Sequence, residues 1–108
     1  MGRRGGDVTY FHGARDINVH RVTVTTASQS FEDLIGSALN ADAEQVEIVN
    51  NGGAGIYYQC SGADATANDL LIANGGNYEC VGVKDRLDNV RLIAGGNVVV
   101  HLIERVVR

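Results

Sequence analysis

Apolar positions along the chain keep two different spacings. Between Asn18 and Thr26 β-branched residues alternate around Val22 and Val24, the pattern of a strand. Ser30, with Asp33 three residues on, has the form of a capping box, and Phe31, Leu34, Ile35, Ala38 and Leu39 share one face of a helix. A helix of about ten residues does not persist alone, so it is expected to lie on a sheet. From Val46 onward the spacing is two. Val46 and Ile48 share one face of a strand, and Ile56, Tyr58 and Cys60 share one face of the next. Strands at Leu70–Ile72, Tyr78–Val81, Val90–Ile93 and Val98–Val107 follow, with a single helical turn at Asp85 to Asp88 ahead of the third of these.

Three of these apolar runs end in Gly-Gly, at Gly52-Gly53, Gly75-Gly76 and Gly95-Gly96, each beside an Asn. The chain has 14 Gly and no Pro, so its tight reversals depend on Gly, Asn or Asp to reach positive φ, and the three sites read as hairpin turns. In the last strand Val98, Val100 and Leu102 alternate with Val99, His101 and Ile103, which makes both faces apolar. Such a strand is either central in its sheet or covered by a neighbouring subunit. Together these patterns predict a mainly β fold: an antiparallel β-sandwich or small barrel of six to seven strands with one short helix. Residues 1–16 are rich in Gly and Arg and lack periodicity, so they read as an extended N-terminal arm ahead of a β domain at 17–108.

Net charge is −4, but the layout is uneven. Residues 1–21 carry +2, residues 22–83 carry −8 with no Lys or Arg, and residues 84–108 carry +2. Basic ends around an acidic middle either steer copies of the chain onto one another or are interleaved by folding on one surface. No apolar run approaches the length that spans a bilayer, and no signal-peptide core follows the N-terminus, so a soluble product with no membrane partner is expected.

Catalytic motifs are not found: there is no His-Glu-x-x-His, Gly-x-Ser-x-Gly, phosphate-binding Gly-Lys-Ser/Thr loop or Cys-x-x-Cys. Gly52 to Gly55 lacks the lysine and following helix of a phosphate cradle, and a hairpin turn is expected there. His12, His20 and His101 stand singly, without metal-ligand spacing, and are expected on the surface or in ordinary hydrogen bonds. The stretch from Asp64 to Asp69 lacks the ligand density of a calcium loop and reads as a solvated turn. Cys60 and Cys80 each close a strand. Reduced, half-buried thiols are expected, a bridge being open only if their Cα atoms approach within about 7 Å. No enzyme, metal or cofactor is expected, and specific nucleic-acid binding is disfavoured by the acidic middle. Adjacent Tyr57 and Tyr58 must point to opposite faces, leaving one outside as a possible stacking platform for a sugar.

The succession Asn50-Asn51-Gly52, Ile56-Tyr57-Tyr58, Ala65-Thr66-Ala67-Asn68-Asp69, Leu71-Ile72, Gly75-Gly76, Lys84-Asp85, Leu87 to Ile93 and Asn97 to Val100 resembles the small β-sandwich virion structural proteins of tailed bacteriophages. The resemblance spans about four-fifths of the chain, excludes residues 1–16, and rests on turn and core residues. It implies a non-enzymatic particle component, first a capsid decoration (cement) protein. Such a protein would be made in the host cytoplasm and carried on the capsid surface, as a homo-oligomer with a trimer favoured. Its expected partner is the major capsid protein or another virion protein, contacted through Arg3, Arg4, Tyr10, Phe11 and Arg15. A tail or head-to-tail junction component and a carbohydrate-binding β module are the alternatives.

Overall fold

A computed structural model describes residues 14–107. These form eight strands and two short helices: β1 (Ala14–Val24), β2 (Gln29–Ser30), α1 (Phe31–Ile35), β3 (Gln45–Asn50), β4 (Ile56–Gln59), β5 (Leu70–Ile72), β6 (Asn77–Val81), α2 (Lys84–Leu87), β7 (Arg91–Ala94) and β8 (Val98–Val107). The mainly β, antiparallel class is as expected, but eight strands replace six to seven; the helical turn expected at Asp85 to Asp88 is α2. β1 begins at Ala14, so Arg15 and Asp16 of the expected arm are strand residues; residues 1–13 lie outside the described residues.

Two four-stranded sheets are present, sheet A in the order β1-β8-β3-β6 and sheet B in the order β2-β7-β4-β5. All pairings are antiparallel, and they follow one rule: β1 pairs with β8, β2 with β7, β3 with β6 and β4 with β5. The chain is thus one long antiparallel hairpin whose tip lies between β4 and β5. It is folded over so that successive pairs alternate between sheets, and the contacts β3·β8 and β4·β7 close the roll. This is the strand order of a jelly roll. Inward residues of both sheets, among them Val24, Val46, Ile48, Val100 and Leu102 from A and Ile56, Leu92 and Ala94 from B, merge in one core cluster. β8 lies inside its sheet between β1 and β3, with Val98, Val100 and Leu102 buried in the core and Val99, His101 and Ile103 half-buried on the outer face.

The three Gly-Gly sites are not hairpin turns. Each carries the chain from one sheet to the other: β3 to β4, β5 to β6 and β7 to β8. Gly and Asn encode the reversal, while the choice between pairing back in the same sheet and crossing to the other is made by the core. The first two bends are the two sides of the folded hairpin and lie together. Asn50, fully buried, donates from Nδ2 to the carbonyls of Ala54 (2.8 Å) and Ile72 (3.0 Å) and accepts from Gly52 N (3.1 Å). Its backbone N–H donates to Gly76 O, and its carbonyl accepts from Gly75 N. Asn74 Oδ1 accepts from Gly53 N at 2.9 Å. A Cβ on Gly52 would stand 2.5 Å from both Val98 Cγ1 and Val99 O, so the start of β8 packs against the first bend with no room for a side chain.

At the opposite end the folded hairpin crosses through α1 and α2. The expected capping box is present, Ser30 Oγ accepting from Asp33 N while Asp33 accepts from Ser30 N. The helix stops after five residues instead of about ten, because Gly36 takes the left-handed conformation (φ 86°) and its N–H closes on Glu32 O. Leu39 still reaches the core, delivered by a loop. Lys84 of α2 bridges Glu32 of α1 at 3.0 Å and Asp88 at 2.9 Å.

Replacing Asn50 by Ala removes the partner of the buried Ile72 carbonyl and of the part-buried Ala54 carbonyl and Gly52 N–H at the double bend. A loss of about 3 kcal/mol is expected from urea unfolding, with the slope of the transition unchanged.

Candidate binding surfaces

Sheet B presents an apolar row on its outer face. Register places Tyr57 of β4 between Leu71 of β5 and Ile93 of β7. Leu71 is 58 % exposed, while Tyr57 and Ile93 are half-buried. The row floors a groove of about 530 Å³ that the bends border with small residues, including Gly55, Gly95 and Gly96, and with the amides Asn74 and Asn97. Gly55 lies beneath Leu71, since a Cβ there would stand 2.7 Å from Leu71 Cδ1. The groove can take a flat, partly apolar ligand on the Tyr57 ring, with hydrogen-bonding groups at the rim.

Tyr58 does not share that surface. It points into the core, where its ring stacks on Tyr78 of β6 with centroids 4.2 Å apart and planes 27° from parallel. Burial, and next the hydrogen bond with Tyr78, push the Tyr58 phenol up to about 12. Next to the stack lies a second cavity of about 400 Å³, lined by Cys60, Tyr78, Cys80, Arg86 and Asn89 among others. Both thiols are free, Cys60 exposed and Cys80 buried. Burial raises the Cys60 thiol and, with the nearby Cys60 adding to it, pushes Cys80 up to about 12.

One acid is buried. Glu104 on the inner face of β8 is 1 % exposed. Its Oε1 accepts from Asn40 N at 2.6 Å, and its Oε2 contacts His20 Nε2 at 2.5 Å and accepts from Asn18 Nδ2 at 3.4 Å. The cluster ties β1, β8 and the loop after α1 together. Its donors all belong to this chain, so the carboxylate serves as a structural anchor. The period-two alternation Leu102, Glu104, Val106 carried the signal for this burial.

The charge segments interleave in the fold. Arg105 pairs with Glu47, Lys84 with Glu32, and Arg91 with Asp64, so basic residues after position 83 meet acids from the middle of the same chain, and Arg105 also meets Asp16 of the N-terminal segment. Asp16, Arg105, Glu47 and Asn77 form a polar ladder across all four strands of sheet A. Of the expected partner-binding residues, Arg15 is exposed on β1 opposite Val106, while Arg3, Arg4, Tyr10 and Phe11 lie outside the described residues, as does His12. The Asp69 carboxylate is engaged by Thr66 N at 2.7 Å, which makes the 64–69 stretch a turn. Among the described residues no group of three or more His, Cys, Asp or Glu is placed to hold a metal ion, and no helix is long and apolar enough to cross a membrane.

Cys80 and Tyr58 hold their protons more tightly in the fold than their ordinary values of 9.0 and 10.0. Their contribution to stability is therefore complete below about pH 9 and lost as pH rises toward 12. Unfolding midpoints are expected to stay level from neutral pH to about 9 and then fall, and Cys80→Ala should make the fall shallower, most of all between about pH 9 and 10.

No protein-family model, curated protein or solved structure matches this chain, and the reading of its function rests on its own residues.

Proposed function

We propose that the chain is a non-enzymatic structural protein of a tailed-phage virion, a capsid decoration protein that oligomerises and binds the major capsid shell. The observation that carries this reading is the strand order, β1-β8-β3-β6 facing β2-β7-β4-β5. It is a jelly-roll sandwich, an architecture that serves viral capsid domains, and it accompanies a sequence whose turns and core residues resemble small virion proteins. The non-enzymatic part is supported by the fate of the buried acid, since Glu104 and its neighbour His20 are spent on each other and on Asn18 and Asn40. The arm supplies the shell contact through Arg3, Arg4, Tyr10 and Phe11, and Arg15 sits where the arm joins β1.

A carbohydrate-binding module is the second reading. The row Leu71–Tyr57–Ile93 with asparagines at the rim favours it, because sugar rings stack on half-exposed aromatic faces. Tyr57 is then the platform, since Tyr58 is buried in the stack with Tyr78.

Cosedimentation with capsids, with bound copies counted per particle, tests the first reading. Copies in the hundreds are expected for decoration, whereas about a dozen or fewer would move the protein to a tail or junction position. Deletion of residues 1–13 leaves β1 whole and is expected to abolish binding without changing the melting temperature. Full occupancy by the truncated protein would remove the arm from the account. Glycan binding that is lost in Tyr57→Ala would replace the capsid reading with the second.

A further inference from the structure

We propose that Cys60 and Cys80 form a redox-active dithiol, which a low-molecular-weight disulfide of the glutathione class converts to a cross-sheet disulfide. Topology brings the pair together. β4 in sheet B and β6 in sheet A both leave the double bend held by Asn50 and run away from it, one in each sheet. Cys80 follows Tyr78 two residues along β6 and shares its inward side, and Cys60, the first residue past β4 and two beyond Tyr58, is exposed. The tyrosine rings already touch across the two sheets, with centroids 4.2 Å apart. One step beyond that contact both cysteines line a single cavity of about 400 Å³. The walls there are tied to one another: Gly62 N, just past Cys60, donates to Asn89 O at 2.9 Å, and Gly82, just past Cys80, lies against the Arg86 side chain.

Exposure orders the two steps. Cys60, the exposed thiol, loses its proton and attacks one sulfur of the disulfide; that S–S bond breaks, and one glutathione leaves as a thiolate and is protonated. The buried Cys80 thiol then loses its proton and attacks the Cys60 sulfur of the mixed disulfide, expelling the second glutathione. The two cysteines lose two electrons and two protons, and the oxidant is reduced to two thiols. Partial desolvation raises the exposed Cys60 thiol and burial raises Cys80, so the exchange is slow at neutral pH and accelerates as pH rises. The product joins the residue that follows β4 to β6, an open edge of its sheet, closing a loop that contains β5 and its bend. The inference stands independently of the virion reading.

The test treats the full chain with oxidised glutathione at about pH 9 and follows mass, peptide linkage and melting. The expected product is lighter by about 2 Da, remains monomeric in its covalent state, and melts on the order of 10 °C higher. No Lys or Arg lies between Arg21 and Lys84, so trypsin leaves both cysteines in one fragment. A protease cutting at Asp64, Asp69 and Glu79 should instead yield two peptides joined through Cys60 and Cys80 and parted by reductant. Cys60→Ser, a change at the exposed position, should abolish both the mass loss and the melting shift. A stable glutathione adduct on wild-type Cys60, a bridge found only between chains, or an internal bridge with no change in melting would each overturn the proposal.

Discussion

Asn50 is a fully buried amide that holds two reversals of the chain side by side, and the architecture depends on that contact. Its side chain bonds the bend it begins and the strand that enters the second bend, while its backbone bonds Gly75 and Gly76 within that second bend. A long antiparallel hairpin becomes two sheets only if both of its strands cross over at the same height. Each crossing exposes backbone groups that no sheet ladder satisfies, and buried groups of that kind must find partners. One carboxamide supplies two donors and an acceptor in the space of a single side chain, which an apolar residue of the same size cannot do.

The two ends of the fold are built differently as a result. The bend end is made of Gly, Asn and Ala, and it closes by backbone approach, as at Gly52 against Val98 and Val99. The other end crosses through the two helices and closes by charge, with Lys84 between Glu32 and Asp88 and the Glu104 carboxylate binding Asn40 N. The small residues at the bend end border the groove beside Tyr57, and beyond the Tyr58–Tyr78 stack lies the cavity that both cysteines line. Both candidate surfaces are therefore by-products of how the hairpin is folded over, which is why neither corresponds to a motif.

Local periodicity made most strands legible. β8 matched its predicted span, and Val46, Ile48, Ile56 and Tyr58 took the inward face that alternation assigns them. The Ser30 cap was also legible because it is a contact between residues three apart. Sheet membership was not, since Asn-Gly-Gly specifies a reversal equally well within a sheet and between sheets. The overlong helix had the same origin: apolar spacing carried Leu39 into the core correctly, and Gly36 ended the helix four residues earlier than spacing implied. Asn50 and Glu104 stand at core positions of their own strands by simple alternation, but nothing local names their partners at Ile72 and Asn40, 22 and 64 residues away in sequence. The thiols' shared cavity likewise follows from topology alone.

Native-state hydrogen exchange of the backbone amides tests most directly whether the double bend is the lock of the fold. The account predicts that the amides of Asn50, Gly52 and Gly75 exchange only through global unfolding, with the same free energy as amides in the middle of β8. Exchange of these bend amides through a local opening several kcal/mol cheaper than that of β8 would show that the sheets hold the bends in place and that Asn50 does not organise the roll.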